Sequence, residues 1–226
     1  MSSLKSFCRV LIPALAACCF LTGCPSGTDA PEKPESPGNA AKPEKPATRK
    51  ADGKTAASVG KAVLSADRRT LVKYDGNDEK YTIPAGVTAI GDKAFAGSRD
   101  LTVVVIPDGV TSIGEGAFYG CQNLRDVTIP SSVTSIGKEA FWWCSNLNNV
   151  TIPVGVTSIG EGAFGKCGLM SLTIPSSVSC IGSRAFAGCT ALASADIPRS
   201  VVIGEGAFNE CPCEALVKEH FPSYKR

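Results

Sequence analysis

The side chains of this chain that are suited to chemistry are eleven cysteines and a single histidine. Thiolate and imidazole groups are the usual zinc ligands, and a cysteine beside a histidine can act as a nucleophile. The one local cluster is Cys211, Cys213 and His220, which offers three ligands at a spacing that zinc sites rarely use. We therefore predict no metal site and no cofactor, and interpret the cluster as two structural cysteines beside an exposed histidine.

Five of the cysteines occupy one repeated position. Each lies three residues after a phenylalanine in successive copies of a segment of about 23 residues. A shared position predicts a buried column of free thiols, because cysteine packs as a small hydrophobe and side chains stacked in parallel are poorly aimed for disulfides. The five are Cys121, Cys144, Cys167, Cys189 and Cys211. The sequence leaves open the redox state of Cys211 and of the two cysteines outside the column, Cys180 and Cys213.

The sequence carries no motif of a common enzyme class. It contains no nucleophile elbow, no phosphate-binding loop and no zinc-protease motif. Recurring carboxylates such as Glu115 and Glu161 lie in comparable turn regions and are typical of solvated surface. We expect a protein that is not an enzyme.

The N-terminus resembles a bacterial lipoprotein signal. Lys5 and Arg9 precede a short apolar run, which ends in Leu21-Thr22-Gly23-Cys24. This tetrapeptide resembles the lipobox, in which the cysteine is lipidated after cleavage. We predict a signal peptide over residues 1–23 and lipidation of Cys24, which would anchor the protein to a membrane. An ordinary secretory signal followed by an unrelated cysteine is the alternative.

Residues 24–60 have the composition of a disordered tether. Pro25 to Pro46 contains six prolines among Lys, Glu, Ala and Ser, and it has no large apolar residue to bury. Removing Lys5 and Arg9 with the signal would leave 21 basic and 21 acidic residues. This balance argues against nucleic acid as a partner.

Residues 82–213 contain six copies of one pattern, and this repetition predicts a solenoid in which each unit buries its apolar face by stacking on its neighbours. A short alternating run before each Ile-Pro pair predicts a strand, which the proline ends. A glycine that recurs at one position indicates a corner with positive φ or close backbone approach. The Ala-Phe pair that follows predicts a column of stacked phenylalanines in the core. One-residue deletions, as at Gly168 to Leu172, are expected in turns rather than in the sheet.

The pattern IPxxVTSIGxxAFxGCxxL is similar to the BspA-like class of leucine-rich repeats, and the whole chain resembles a treponemal type of leucine-rich-repeat lipoprotein. The resemblance implies a short curved stack with a parallel β-sheet on one face and loops and short helical turns on the other. It also implies roles in adhesion or other protein contacts. Residues 61–81 and 214–226 depart from the repeat, and we predict that they are a hairpin-like N-terminal cap and a C-terminal cap with a short helix.

Two surfaces are candidates for binding a partner. Trp142 and Trp143 occupy positions that hold small or polar residues in other repeats, so we predict that they are exposed and form a contact patch with Tyr119. The alternative is that one tryptophan folds over neighbouring surface. The second candidate is the exposed strand face, with small polar side chains at Asp126, Thr128, Asn149, Thr151, Ser171, Thr173 and Asp196.

These features predict a lipid-anchored protein of a bacterial envelope that binds other proteins, with host matrix or host-cell ligands as the expectation from the resemblance. The alternative is a periplasmic structural or assembly component that contacts envelope proteins or itself as a homo-oligomer. The sequence leaves open which face of the envelope carries the protein.

Overall fold

The computed structural model of the protein describes residues 57–59 and 61–225. The predicted signal peptide, Cys24 and nearly all of the predicted tether lie outside these residues. In chain order the elements are β1 (Ala57–Val59), β2 (Ala62–Leu64), β3 (Thr70–Tyr74), β4 (Lys80–Thr82), β5 (Ala89–Ile90), β6 (Val103–Val105), β7 (Ser112–Ile113), β8 (Asp126–Thr128), β9 (Ser135–Ile136), β10 (Ser158–Ile159), β11 (Ser171–Thr173), β12 (Cys180–Ile181), β13 (Ser194–Asp196), β14 (Val202–Ile203) and the helix α1 (Glu214–His220).

The repeats form the predicted solenoid, and the parallel sheet that runs before the Ile-Pro pairs is present. It contains β4, β6 and β8 in one piece and β11 and β13 in another. The structure adds a second sheet that sequence reasoning did not predict. Its two-residue strands follow each Ile-Pro pair and stack in parallel from β5 to β14. Two residues are too few to show the alternation of apolar and polar side chains that marks a strand in a sequence. These strands are therefore defined only by the hydrogen bonds between stacked coils.

Side-chain hydroxyls reinforce the second sheet. Thr111 Oγ1 donates to the Thr88 carbonyl of the preceding coil at 3.1 Å, and Thr134 donates to the Thr111 carbonyl at 3.2 Å. Thr157 and Ser179 continue the series. The hydroxyl at this position therefore adds one bond between coils at each step from Thr88 to Ser179, and Val202 in the last coil has none.

The first sheet is interrupted in the coil that precedes the one-residue deletion. No strand is present at residues 149–151, between β8 and β11, and the one-residue deletion lies just ahead, near Gly168. A Cβ at Gly168 would lie 2.4 Å from the Ser145 carbonyl oxygen, which shows how tightly the shortened coil passes its neighbour. The residues around the deletion, 167–170, lie in no strand, and β11 forms directly after them and pairs with β13, so the deletion falls in a turn as expected.

The predicted phenylalanine column forms the centre of the core. Phe95, Phe118, Phe141, Phe164, Phe186 and Phe208 are each fully buried. Successive ring centroids are 4.8, 4.9, 5.1, 5.5 and 5.3 Å apart, with interplanar angles of 3° to 14°. Each ring covers the next, so removing one would leave two faces without a partner.

The recurring glycine is required for close approach between coils. A Cβ at Gly160 would lie 2.6 Å from the carbonyl carbon of Gly137 in the preceding coil, and one at Gly182 would lie 2.5 Å from the Glu161 nitrogen. The positive φ that the sequence also allowed lies elsewhere, two and six residues later in each repeat. The glycine therefore sets the spacing of the backbones rather than a left-handed turn.

The N-terminal cap replaces a coil with antiparallel strands. β1 pairs with β2 and β2 with β3, and β3 then joins β5 in parallel. Because Ala57–Val59 is a strand, the folded region begins before residue 61, the boundary predicted from the sequence. Tyr74 takes the place of a phenylalanine: its N–H donates to the Ala94 carbonyl at 2.7 Å and its ring lies 5.1 Å from that of Phe95.

The C-terminal cap contains the predicted helix and a tail that imitates a seventh coil. Gly206 N–H donates to the Lys225 carbonyl at 2.8 Å, as Gly162 N–H donates to Ser183 at 2.9 Å within the solenoid. Phe208 N–H donates to the Tyr224 hydroxyl at 2.9 Å, where earlier coils use an alanine carbonyl. The buried Tyr224 side chain therefore satisfies an amide that the end of the solenoid would otherwise leave without a partner.

Candidate interaction surface

The exposed strand residues fall into two groups rather than one continuous face. Asp126 and Thr128 are exposed on β8, with Val127 buried between them. Ser171 and Thr173 on β11 lie beside Ser194 and Asp196 on β13, and all four are exposed. Asn149 and Thr151 are also exposed, but they lie in the interruption of the sheet. The predicted orientation of these side chains is confirmed, whereas the sheet beneath them is broken at its middle.

The two tryptophans have different environments. Trp142 is half-buried because its ring lies over the next coil, where a Cβ at Gly165 would fall 2.2 Å from it and one at Gly162 would fall 2.9 Å from it. Trp143 is 48% exposed and Tyr119 is 37% exposed. Trp142 therefore agrees with the alternative, in which one tryptophan folds over neighbouring surface, and Trp143 is exposed to solvent. Trp142 packs on two glycines that leave room for an indole ring.

These three side chains form one surface, which we call the aromatic patch: Tyr119, Trp142 and Trp143. Gly120 N–H donates to the Trp142 carbonyl at 2.8 Å, so Tyr119 and Trp142 are equivalent residues on adjacent coils. Lys166 lies on the coil that follows Trp142, and its amine is 5.9 Å from the centroid of the Trp142 ring. The patch therefore crosses two coils and has a cation on the next coil.

Trp143 also has an unfavourable backbone conformation. Its φ is +64°, and the equivalent residues Gly97, Gly120 and Gly188 have φ of +73°, +69° and +74°. A left-handed conformation costs a residue with a Cβ about 1–2 kcal/mol. Lys166 and Glu210 adopt the same conformation, so the position accepts side chains as well as glycine.

The cysteine column is confirmed as buried free thiols. Cys144 Sγ donates to the Phe118 carbonyl of the preceding coil at 3.2 Å, and Cys167 donates to Phe141 at 3.1 Å; the other members do the same. Burial raises the pKa of Cys121 and Cys167 above its ordinary value. Hydrogen bonding to Cys189 is the main cause that raises the pKa of Cys211 to about 12. The raised pKa makes Cys121, Cys167 and Cys211 poor nucleophiles, and all five thiols of the column bond one coil to the next.

Cys213 is a free thiol, and it is fully buried beside Cys211 rather than exposed with the histidine. His220 is exposed, and its Nδ1 lies 2.8 Å from the Leu216 carbonyl of α1. Within residues 57–59 and 61–225, no three His, Cys, Asp or Glu side chains are arranged to hold a metal ion. The cysteines and histidine near the C-terminus therefore belong to the cap.

Sequence reasoning missed a polar depression beside the first sheet. It is lined by Asn77, Glu79, Asp100, Thr102, Asn123 and Arg125. Asn123 Nδ2 donates to the Arg99 carbonyl at 2.8 Å, and Asn146 Nδ2 donates to Asn123 Oδ1 at 3.2 Å. Polar residues that recur just before the repeated leucines were the available signal, since neighbouring coils bring them into register.

Comparisons with known proteins agree with this architecture. The sequence profile described as the BspA-type leucine-rich-repeat region, in six copies, matches residues 73–193 and 112–223. The chain therefore belongs to the BspA-type leucine-rich-repeat family. Repeat scaffolds of this kind generally act as protein-interaction surfaces rather than as enzymes. A search of curated proteins found no match.

Solved structures show the same fold. The Treponema pallidum leucine-rich-repeat protein TpLRR is 25% identical, with a TM-score of 0.58 over 70% of this chain and 91% of that one. A leucine-rich cell surface protein from Faecalibacterium prausnitzii A2-165 is 38% identical, with a TM-score of 0.64 over 71% of this chain and 47% of that one. This chain thus spans about half of the second protein. A leucine-rich-repeat protein from Eubacterium ventriosum is 24% identical, with a TM-score of 0.60 over 67% of this chain and 48% of that one.

Proposed function

We propose that this protein is anchored by lipid on Cys24 in a bacterial envelope and binds another protein through its solenoid, with the aromatic patch as the main contact. The observation that carries the proposal is Trp143, which keeps a half-exposed indole in a left-handed conformation that glycine occupies in three other repeats. Exposed tryptophan and tyrosine are common anchors of protein interfaces. Asp126 and Thr128 on β8, and Ser171, Thr173 and Asp196 beyond the interruption, would supply polar contacts.

The envelope location rests on the lipobox-like sequence ending at Cys24 and on a relative described as a cell surface protein. Among the described residues, no helix has the length and apolar character needed to cross a membrane. In this proposal lipid on Cys24 provides the anchor. Adhesion to host matrix or host cells is the finer proposal, which applies if the repeats face outward.

The first experiment tests both where the repeats lie in the cell envelope and whether the aromatic patch contacts a partner. Protease shaving of intact cells, with a periplasmic marker as control, is expected to remove the repeats while the marker survives, and a Cys24→Ser chain is expected to lose membrane association. A photo-crosslinker at position 143, compared with one at the exposed Thr190, is expected to capture a partner only from position 143. Equal crosslinking from both positions would contradict the patch assignment.

A second candidate function follows from the same patch. An exposed Trp143 can equally pack against another copy of the chain in an assembly within the periplasm. Solution mass separates the two functions, because Trp143→Gly would then convert an oligomer to a monomer. Complete protection from protease until the outer membrane is opened would favour this function over adhesion.

A further inference from the structure

The first sheet ends at β13, and none of the described strands pairs with its outer edge. β13 pairs with β11 alone, and the Ile174 N–H donates to the Asp196 carbonyl at 2.9 Å. Because successive residues of a parallel strand direct their backbone groups to opposite sides, Ala195 directs its N–H and C=O away from β11. Within the solenoid the N–H of Ile83, which is equivalent to Ile197, donates to the next coil at 3.0 Å. The outer edge of β13 therefore presents the groups that a following coil would use.

The sequence after the last repeat forms a helix where a seventh strand would lie. Cys189 and Cys211 are equivalent residues 22 positions apart, so the positions equivalent to β13 are 216–218. These positions belong to α1. The Cys213 N–H still donates to the Leu192 carbonyl of the last coil at 3.0 Å, and the chain then turns into the helix. The C-terminal cap therefore covers the end of the core without pairing with β13.

A groove of about 190 Å³ lies between β13 and α1. Its apolar lining includes Ile197, Leu216 and Phe221. Leu172 on β11 is 3% exposed, whereas Ala195, its neighbour in register on β13, is only half-buried. Leu216 is 53% exposed at the rim. The end of the solenoid therefore leaves apolar surface that one more strand would remove from water.

We propose that the outer edge of β13 binds an extended segment of a partner protein, which adds one parallel strand to the first sheet and places a large apolar side chain over Ala195. The free backbone groups of a strand edge are complementary to another extended chain, and addition of a strand is a general mode of peptide recognition. The four preceding coils have valine or leucine where β13 has this alanine, so the edge has room for a larger side chain. Asp196 is exposed beside the edge and favours a basic residue in the segment.

The groove fits a single extended segment better than the folded end of a second copy. A second copy would offer β4, the first strand of its own sheet, but β4 lies against the N-terminal cap, where the rings of Tyr81 and Tyr74 are 4.5 Å apart. Since α1 borders the groove, two folded ends would bring that cap against the helix. The inference goes beyond the proposed function, because β13 lies in the last coil and the aromatic patch lies in the coils of Phe118 and Phe141.

A synthetic peptide of residues 79–84 of this chain has the required chemistry, since it carries Lys80, Tyr81 and Ile83 in one extended stretch. The protein sample is residues 24–226 with Cys24→Ser. We expect the peptide to shift the NMR signals of the amides of residues 195 and 197 with a Kd of about 1 mM or below, and to slow hydrogen exchange at both. Ala195→Pro removes an N–H on the outer edge and keeps the bonds to β11, so it should weaken binding at least about tenfold.

Methylation of the peptide's own amides tests the mode of binding. In the solenoid the Val103 N–H, which is equivalent to that of Lys80, donates to the Glu79 carbonyl of the preceding coil at 3.0 Å. Alternation along the strand then directs the Thr82 amide of the bound peptide toward β13 and the Tyr81 amide away from it. N-methylation at Thr82 should weaken binding at least about tenfold, whereas N-methylation at Tyr81 should change it less than about twofold.

Charge exchange tests the predicted basic residue. Asp196→Lys should weaken binding of the peptide about tenfold at low salt, and a peptide with Lys80→Glu should recover binding to this variant. Asp126→Lys is the matched control, because Asp126 is also exposed on a strand but lies on β8, away from the end of the sheet. This control should leave the binding of both peptides unchanged.

Three results would overturn the proposal. The first is the absence of shifts at residues 195 and 197 up to about 5 mM peptide. The second is an equal effect of the two N-methylated peptides. The third is association of the protein with itself that Ala195→Pro abolishes, because the occupant would then be β4 of a second copy. Crosslinking from position 143 reports on the aromatic patch alone, so failure of the proposed function is distinguishable from each of these results.

Discussion

Replacing Tyr224 with phenylalanine removes one oxygen and tests whether the C-terminal tail imitates a coil. The Tyr224 hydroxyl accepts the Phe208 N–H at 2.9 Å, and both side chains are buried, at 7% and 0% exposure. The phenylalanine ring would keep the edge-on contact with Phe208, whose centroid is 6.3 Å away. The variant therefore leaves a buried N–H without an acceptor, which costs about 1–3 kcal/mol.

For a domain of this size, each kcal/mol shifts Tm by about 2–4 °C. Urea unfolding of Tyr224→Phe gives the global change, and hydrogen exchange of the Phe208 amide gives the local one, since the last coil of a solenoid can open before the rest. Tyr119→Phe is the matched control, because its ring is 37% exposed and its change should stay within about 0.5 kcal/mol. If Tyr224→Phe behaves like the control and the Phe208 amide remains protected, the hydroxyl does not stand in for a coil.

Three other changes follow from the same structure. Gly160→Ala should lower the free energy of unfolding by about 3 kcal/mol, because its Cβ would meet the Gly137 backbone at 2.6 Å. Gly86→Ala should lower it by only about 1 kcal/mol, because that Cβ would enter open space and only the φ of +91° is unfavourable. Similar urea midpoints for the two variants would contradict this prediction. Raising the pH should destabilise the fold above about pH 9, because buried thiols such as Cys121 and Cys211 have raised pKa values when folded but ionise near 9.0 when unfolded. Their contribution is complete below pH 9 and declines by up to about 1.4 kcal/mol per pH unit for each thiol as pH rises toward the folded pKa, so constant urea midpoints from pH 8 to 10.5 would count against it. Trp143→Gly should stabilise the fold by about 1 kcal/mol, because glycine adopts the left-handed conformation without strain. Trp142→Ala should destabilise the fold by about 1–2 kcal/mol, because it uncovers Gly162 and Gly165. If the two variants shift Tm in the same direction, the two tryptophans are equivalent and the prediction is wrong.

The repeating positions were predictable because a solenoid applies one environment to each of them. The phenylalanine column, the buried thiols at Cys144 and its equivalents, and the helix at Glu214–His220 all agree with the sequence prediction. A residue type that recurs at one position in six copies reports the burial and shape of that position. Departures from the pattern, such as Trp142 and Trp143, marked the candidate site but could not show how the two side chains would differ.

The sequence by itself determined the solenoid, its family and the inward or outward orientation of each repeated side chain, because the repeat averages out local ambiguity. Only the tertiary structure decided what depends on contacts between coils. Four features arise between segments about one repeat apart. They are the two-residue strands of the second sheet, the close approach at Gly160, the packing of Trp142 on Gly165 and the hydrogen bond by which Tyr224 replaces a missing coil. Such contacts are set by the stacking distance of the backbones, which no single repeat encodes.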